Sequence, residues 1–166
     1  CRLWWDSDLD FRPDVPVSEL DRLRSPARNG MILLDLEYCA AGYSPTEYQR
    51  GLMPDAYQPK LRTIHDGIDT GFWKPEPNPE RTIGSLRLEP GEKLVTYVSR
   101  GLEMMRGFDV FMRALKLIQE RDPKVRAVVV GSDEVAYGGD LQHTGGRSFR
   151  DHVLAGDSYD LDQIHF

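Results

Sequence analysis

Two arginines and two glycines lie together in one short stretch of the chain. Arg100 and Arg106 are six residues apart, and each is followed directly by a glycine, Gly101 or Gly107. A guanidinium group forms paired hydrogen bonds with phosphate oxygens, and glycine lets a backbone come close to a ligand. These residue types therefore suit a diphosphate. Two surface charges beside an ordinary turn fit the same spacing, so both interpretations stay open at this point.

The segments around these arginines predict a parallel sheet. Leu94–Ser99 and Ala127–Val130 are predicted strands, and the second is a β-branched run typical of a strand buried on both faces. Gln163–Phe166 begins a third strand. A helix ending near Asp122 is predicted between the first two strands from apolar residues at helical spacing: Phe108, Phe111, Met112, Leu115 and Ile118. This order predicts βαβ units and a partial Rossmann-like sheet.

Ligands of such sheets bind beyond the carboxyl ends of the strands. The first strand end is the loop 99–107, which opens a helix whose free amide groups are expected to favour an anion. The second begins at Gly131 and Ser132 and continues through Tyr137–Gly139. Asp133 and Glu134, which lie between them, are expected to cap the next turn, with contact to a ligand as the alternative.

The first part of the chain is predicted to be mostly helical. Ser18 fits a capping box loosely, and Ser25-Pro26 is a second helix start signal. We predict a helix from Pro26 to Tyr38 whose Met31, Leu34 and Tyr38 form one apolar stripe, which Leu33 and Leu36 widen.

Two short strands and a short helix are predicted to follow. The strands are Ala40–Tyr43 and Lys60–Ile64. Between them, Ser44 is predicted to cap a helix from Pro45 to about Leu52. A proline-rich stretch then predicts a linker over residues 76–92, which separates a first region, 1–75, from a second, 93–166.

Composition excludes several functional classes. A net charge of −6 argues against a protein that binds nucleic acid through a basic surface. No apolar run approaches the length of a membrane span. The histidines lack metal-ligand spacing, so no metal is predicted, and Cys1 and Cys39 are expected to be free thiols in a reducing cytosol. The chain lacks an initiator methionine, which predicts that the natural N-terminus lies outside it.

The stretch Leu94–Gly131 resembles the donor-binding half of family-4 glycosyltransferases, through Arg100, Glu103, Arg106 and Gly107. That family usually has lysine where this chain has Arg106. The upstream motifs Ser44–Gln49 and Ile64–Thr70 resemble the end of the N-terminal domain in a bacterial branch of the same family. The resemblance covers about Phe11 to Phe166, and the family's later Glu-x7-Glu element has no counterpart in this sequence.

The resemblance implies an incomplete GT-B fold and a retaining, hexosyltransferase-like enzyme of polysaccharide biosynthesis. The implied reaction moves a sugar from a nucleotide-diphosphate sugar to a saccharide or lipid-linked acceptor, with no cofactor. Arg100 and Arg106 would stabilise the leaving diphosphate. The implied location is the cytoplasm, at the inner face of the membrane if an N-terminal part makes peripheral contact. The implied donor-binding residues are Ser99, Gly101, Glu103, Gly107, Gly131 and Ser132.

Other interpretations remain open. A non-catalytic Rossmann-type nucleotide-binding or interaction module fits the same pattern. A nicotinamide-dependent oxidoreductase is disfavoured because the chain has no Gly-x-Gly-x-x-Gly run. Because half of the implied donor site is missing, we expect this chain to be inactive in sugar transfer by itself.

Overall fold

A computed structural model describes residues 17–77, 80–134 and 140–166 of the chain. The chain divides into two compact units, Cys1–Pro75 and Glu76–Phe166. Both units combine helices with parallel strand pairs, so the predicted α/β class is confirmed.

Helix α1 of the first unit spans Glu19–Tyr38 and passes through the proline at which we predicted it to begin. Ser18 is its N-cap, and the Ser18 hydroxyl accepts a hydrogen bond from the Asp21 amide at 3.1 Å. This side chain satisfies one of the unpaired amides of the first turn. The start predicted at Pro26 is therefore wrong, because an interior proline removes a single backbone hydrogen bond from a helix already capped upstream.

Only part of the predicted apolar stripe of α1 contacts the core. Met31, Leu34 and Tyr38 are 71%, 61% and 85% exposed. The buried residues of α1 are Ser25, Asn29 and Leu36. Leu36 belongs to the core cluster and Leu33 packs against it, so the prediction is confirmed for these two leucines and wrong for the other three residues.

Two parallel strands and two short helical segments complete the first unit. Strand β1 (Gly42–Ser44) pairs with β2 (Leu61–Thr63). Between them lie helix α2 (Glu47–Gly51) and a 3-10 turn (Asp55–Lys60). Both predicted strands are thus confirmed to within two residues at each end.

Thr46, and not Ser44, caps helix α2. The Thr46 hydroxyl accepts a hydrogen bond from the Gln49 amide at 3.1 Å. Ser44 is the last residue of β1, where it is buried and stands opposite Thr63. Strand pairing therefore uses the residue that local sequence had suggested as a cap.

A small core and one lysine hold these elements together. Leu36, Met53 and Leu61 form the buried cluster. The Lys60 ammonium donates to the backbone oxygens of Leu36 and Glu37, at 3.1 and 2.9 Å. These carbonyls belong to the last turn of α1, which lacks partners within the helix. Lys60 thereby fixes β2 to the end of α1.

The second unit begins with a hairpin and continues into a three-stranded parallel sheet. The hairpin pairs β3 (Thr82–Ile83) with β4 (Leu86–Arg87), in the proline-rich stretch predicted as a linker. The sheet has the order β5-β6-β7, and every pair is parallel. Its strands are Lys93–Gly101, Val125–Ser132 and Ile164–His165.

The helices of this unit follow the strands in the predicted order. Helix α3 (Phe108–Arg121) connects β5 to β6. Its C-cap is Asp122, the residue near which we predicted it to end. Helices α4 (Leu141–Thr144) and α5 (Phe149–Gly156) lie between β6 and β7. Short 3-10 turns precede α3 and β7, at Met104–Arg106 and Leu161–Gln163.

Only one face of the β5–β6 sheet contributes to the core. Alternate residues of β6 are buried, together with Phe108, Met112 and Leu115 of α3. On the other face Val98 is 71% exposed and Val130 is 50% exposed. The prediction that Ala127–Val130 is buried on both faces is therefore wrong for the residues described.

Two leucines of α3 provide a matched test of this core. Leu115 is 1% exposed and Leu117 is 56% exposed. Because a buried leucine loses both its transfer free energy and its packing, we expect Leu115→Ala to lower the free energy of unfolding by about 2–5 kcal/mol. Leu117→Ala should change it by about 0.5 kcal/mol or less. Urea unfolding monitored by circular dichroism measures both, and equal losses would contradict the assigned helix face.

Candidate functional site

The pairing of β5 with β6 brings the two predicted strand-end loops together. Gly101 stands opposite Ser132 after a register shift that follows Val98. Directly beyond the pair, the Leu102 amide donates to the Ser132 carbonyl at 2.9 Å. Ser99 and Gly131 approach each other closely at the same edge, as predicted for a site at the carboxyl ends of parallel strands.

Two of the predicted donor-binding glycines lie in tight contact with the opposite loop. A Cβ on Gly131 would lie 2.8 Å from Leu102 Cδ2 and 3.0 Å from the Ser99 carbonyl oxygen. A Cβ on Gly101 would lie 3.1 Å from the Glu134 carbonyl oxygen. The close packing of one loop on the other therefore favours glycine at Gly101 and Gly131, because a side chain would crowd the backbone of the opposite loop.

At Gly107 the backbone conformation favours glycine. Its φ is 72°, in the left-handed region, and a Cβ there would meet nothing within 4 Å. It joins the 3-10 turn to α3 and is the N-cap of that helix. Backbone conformation, not space, favours glycine at this position.

Glu103 and Arg106 form the charged centre of the first loop. Glu103 is fully buried, and its Oε2 lies 3.9 Å from Nε of Arg106. The Arg106 side chain remains 41% exposed. The Tyr97 hydroxyl donates to the Arg106 carbonyl at 3.1 Å and so fixes the backbone that carries this arginine. One buried acid thus lies beneath a partly exposed guanidinium.

The amides at the start of α3 are already used within the protein. The Arg106 amide donates to the Glu103 carbonyl at 3.1 Å, and the Gly107 amide to the Met104 carbonyl at 2.9 Å. The Phe108 amide also donates to the Glu103 carbonyl, at 3.4 Å. The amides of Arg106, Gly107 and Phe108 are therefore occupied, and the expectation that the start of α3 favours an anion stays a prediction.

A residue from the second loop holds the first loop in place. The Met104 amide donates to Oδ2 of Asp140 at 2.8 Å, across 36 positions of sequence. Asp140 is 3% exposed and precedes helix α4. A buried carboxylate that accepts an amide hydrogen bond is a strong contact, because the acceptor is charged. Asp140 thus connects the loop after β6 to the loop after β5.

Sequence reasoning missed both Asp140 and Tyr97. The only signal for Asp140 was an aspartate just before a helix, which normally indicates a cap for that helix. The Asp140 carboxylate does not cap α4 and is directed to Met104 instead. A contact between residues so distant in sequence has no local signature.

Arg100 occupies a more open position than Arg106. It is an exposed residue near the end of β5, within the stretch where the strand register shifts. Beside it, the Ser99 hydroxyl donates to the Gly101 carbonyl, so Ser99 already has a partner. Arg100 is accessible to a ligand in this conformation.

Two side-chain contacts hold the described part of the second loop, residues 131–134. The Glu134 amide donates to the Ser132 hydroxyl at 3.1 Å. Asp133 lies 3.7 Å from Arg150 of α5. The expected capping role thus belongs to Ser132, and Asp133 forms an ion pair. The predicted continuation through Tyr137–Gly139 lies outside the described residues.

Two clefts lie away from these loops. One, of about 250 Å³, lies beside the C-terminal half of α3 and is lined by residues that include Lys116 and Tyr159. The other, of about 200 Å³, lies in the first unit beside Leu36 and Cys39. Neither cleft is lined by a residue of the predicted site.

His65 and the cysteines do not form a further site among the described residues. His65 Nδ1 accepts a hydrogen bond from the Gly67 amide at 3.0 Å, which holds the turn between them. Cys39 is a free thiol, while Cys1 lies outside the described residues. Among residues 17–77, 80–134 and 140–166, no group of three potential metal ligands comes together. None of the helices described there is long and apolar enough to cross a membrane.

The Asp140 contact yields a direct test of the loop geometry. Asp140→Ala removes the acceptor of the Met104 amide, so we expect faster hydrogen exchange at Met104 and a loss of about 1.5–3 kcal/mol in unfolding free energy. Asp140→Asn keeps an oxygen acceptor and should lose less. Asp162→Ala, at an exposed aspartate of the same unit, is the control and should change stability by about 0.5 kcal/mol or less. Unchanged Met104 exchange in Asp140→Ala would refute the contact.

Comparison with known proteins indicates a relationship for the first unit. Separate comparisons with curated proteins and with solved structures found no significant match. Residues 5–72, less than half of the 166-residue chain, match the family model described as the glycosyl transferase family 4 group. The matched range ends before the arginine loop. Over that range the chain is similar to glycosyltransferases, and this match supports a role in glycosyl transfer.

Proposed function

We propose that this chain is part of a retaining glycosyltransferase that uses a nucleotide-diphosphate sugar as donor. The observation that carries the enzyme class is the family match over residues 5–72. The acceptor in this proposal is a saccharide or a lipid-linked saccharide, and the donor lies at the carboxyl edge of the β5–β6 sheet. The proposal includes no metal or cofactor.

The placement of the arginines supports a diphosphate at this edge. Arg100 is exposed and Arg106 is partly exposed, and both belong to a loop at the end of a parallel strand. Glu103 lies 3.9 Å from Arg106 and is buried, so it orients the guanidinium without occupying the open side of the loop. Three nearby amides are already bonded, whereas both arginine side chains reach solvent, and this supports the arginines as the groups that meet phosphate charge.

The chemical role that we propose is electrostatic. In sugar transfer the bond between the anomeric carbon and the diphosphate oxygen breaks, and a bond from that carbon to the acceptor oxygen forms. The acceptor hydroxyl loses its proton, and the departing nucleoside diphosphate gains negative charge. A preorganised positive group beside that leaving group lowers the barrier, because it stabilises charge that develops in the transition state.

Ligand titration tests the diphosphate site on the chain itself. We expect nucleoside diphosphates to bind more tightly than the matching nucleosides, because only the diphosphate meets the arginines. Arg106→Ala and Arg100→Ala should each weaken diphosphate binding by roughly tenfold or more, the equivalent of a lost charged hydrogen bond. Arg106→Lys should keep most of the affinity, because lysine retains the charge. Isothermal titration calorimetry with uridine, guanosine and adenosine derivatives measures these differences.

The control separates local contact from net charge. Arg121→Ala removes the same charge from the far end of α3, at an exposed residue, and should leave binding unchanged. Equal affinity for nucleoside and diphosphate in the unaltered chain would refute the proposed site. So would an Arg106→Ala chain that binds diphosphate as tightly as the unaltered one.

A further inference from the structure

Helix α1 has an apolar face that is exposed among the described residues of the first unit. Its large members are between 53% and 85% exposed, and its one alanine is also exposed. At 3.6 residues per turn this face lies on the opposite side of the helix from Ser25, Asn29 and Leu36, which are buried. The stripe consists of Leu20, Leu23, Ala27, Met31, Leu34 and Tyr38.

The stripe has nearly the same pattern when read in either direction. Leu20 and Tyr38 lie nine residues on either side of Asn29, and Ala27 and Met31 lie two residues on either side. A symmetric dimer contact requires a surface that complements itself after a two-fold rotation. A stripe with this spacing meets that requirement when two helices run antiparallel.

We propose that this stripe is a dimer contact, in which α1 of one copy packs antiparallel against α1 of a second copy. The two-fold axis is perpendicular to the helices and crosses them at the level of Asn29, midway between Leu20 and Tyr38. The contact forms from three kinds of apolar pair, each of which occurs twice: Leu20 with the second copy's Tyr38, Leu23 with its Leu34, and Ala27 with its Met31.

Charge along one edge of the stripe favours the same arrangement. Arg24 and Asp35 flank the stripe on the same side, toward opposite ends of the helix. In an antiparallel pair, Arg24 of one copy lies beside Asp35 of the other, and the contact is repeated by symmetry. The other edge carries Glu19 and Glu37, both exposed, where water and salt screen their repulsion.

The charge balance of α1 favours a second copy over a lipid surface. The helix carries four acidic and three basic residues. Helices that lie on membranes usually have a polar face rich in lysine and arginine, which anionic lipids attract. The mixed charges of α1 complement another copy of the same helix better than they complement a negative surface.

The size of the stripe predicts a weak association. A 20-residue helix is about 30 Å long, so a stripe about 10 Å wide offers roughly 300 Å². A stable protein interface buries about 800 Å² on each partner. We therefore expect a weak dimer whose population rises with protein concentration.

Sedimentation equilibrium over a range of protein concentrations tests the contact. The unaltered chain should form dimers as concentration rises. Leu23→Asp and Leu34→Asp each place a charge in the stripe and should raise the dissociation constant by at least tenfold. Leu117→Asp places the same charge on an exposed leucine of α3 and should have no effect. Circular dichroism checks that each variant remains folded.

Two further variants test the antiparallel orientation. Arg24→Asp and Asp35→Arg should each weaken the dimer, and the double variant should restore it, because the exchanged charges again complement each other. In a background without Cys1 and Cys39, Leu20→Cys and Tyr38→Cys should form a disulfide with each other when mixed, and neither should crosslink with itself.

Several results would overturn the proposal. A chain that stays monomeric at every concentration, or that binds lipid vesicles through the stripe instead, would show that the second copy is not the occupant. A dimer that ignores Leu23→Asp and Leu34→Asp would place the contact elsewhere. Crosslinks of Leu20→Cys with itself would exclude the antiparallel arrangement.

Discussion

The parallel pairing of β5 with β6 is the contact on which the second unit depends. It sets Val95 opposite Ala127 and Tyr97 opposite Val129, so the residues that pack against α3 share one face. A slip by one residue would turn these side chains to water, because successive residues of a strand face opposite ways. The same register places Gly101 opposite Ser132. The core and the candidate site therefore share one constraint.

At the carboxyl end of the β5–β6 pair, the acidic side chains are buried and the arginine side chains reach solvent. Glu103 and Asp140 are buried, and the contacts of Asp140 hold the loop in shape. Arg100 and Arg106 carry the charge that solvent can reach. A loop whose amides are bonded to Asp140 and to the loop's own carbonyls keeps a fixed conformation without a ligand. Such preorganisation lowers the cost of binding, because less of the loop must be ordered when a ligand arrives.

The sequence was most informative where local pattern and tertiary contact agree. The strands of the parallel sheet and helix α3 were predicted within a few residues, because each has strong periodicity and clear end signals. The start of α1 and the cap of α2 were missed because each had two candidate positions. The helix begins at the earlier signal, after Ser18, and Ser44 belongs to a strand, so Thr46 is the cap. The sequence could identify the apolar stripe of α1, but it could not show which side the core contacts.

The same distinction applies to the candidate site, where some contacts could be predicted from the sequence and others could not. Neighbouring strand ends follow from topology alone, so the approach of Ser99, Gly101, Gly131 and Ser132 could be predicted. The reason for glycine at Gly101 and Gly131 could not, because it depends on backbone and side-chain atoms of the opposite loop. The Asp140 contact with Met104 spans 36 positions and leaves no pattern in either segment.

The open face of the β5–β6 sheet has a consequence for the heat capacity of unfolding. Most of the heat-capacity increase comes from apolar surface that becomes hydrated when a protein unfolds. Val98 and Val130 are already largely in water in the folded state, so they add little to that increase. The stability of this unit should therefore change less steeply with temperature than that of a sheet covered on both faces. Any partner that covers this face would make the temperature dependence more strongly curved.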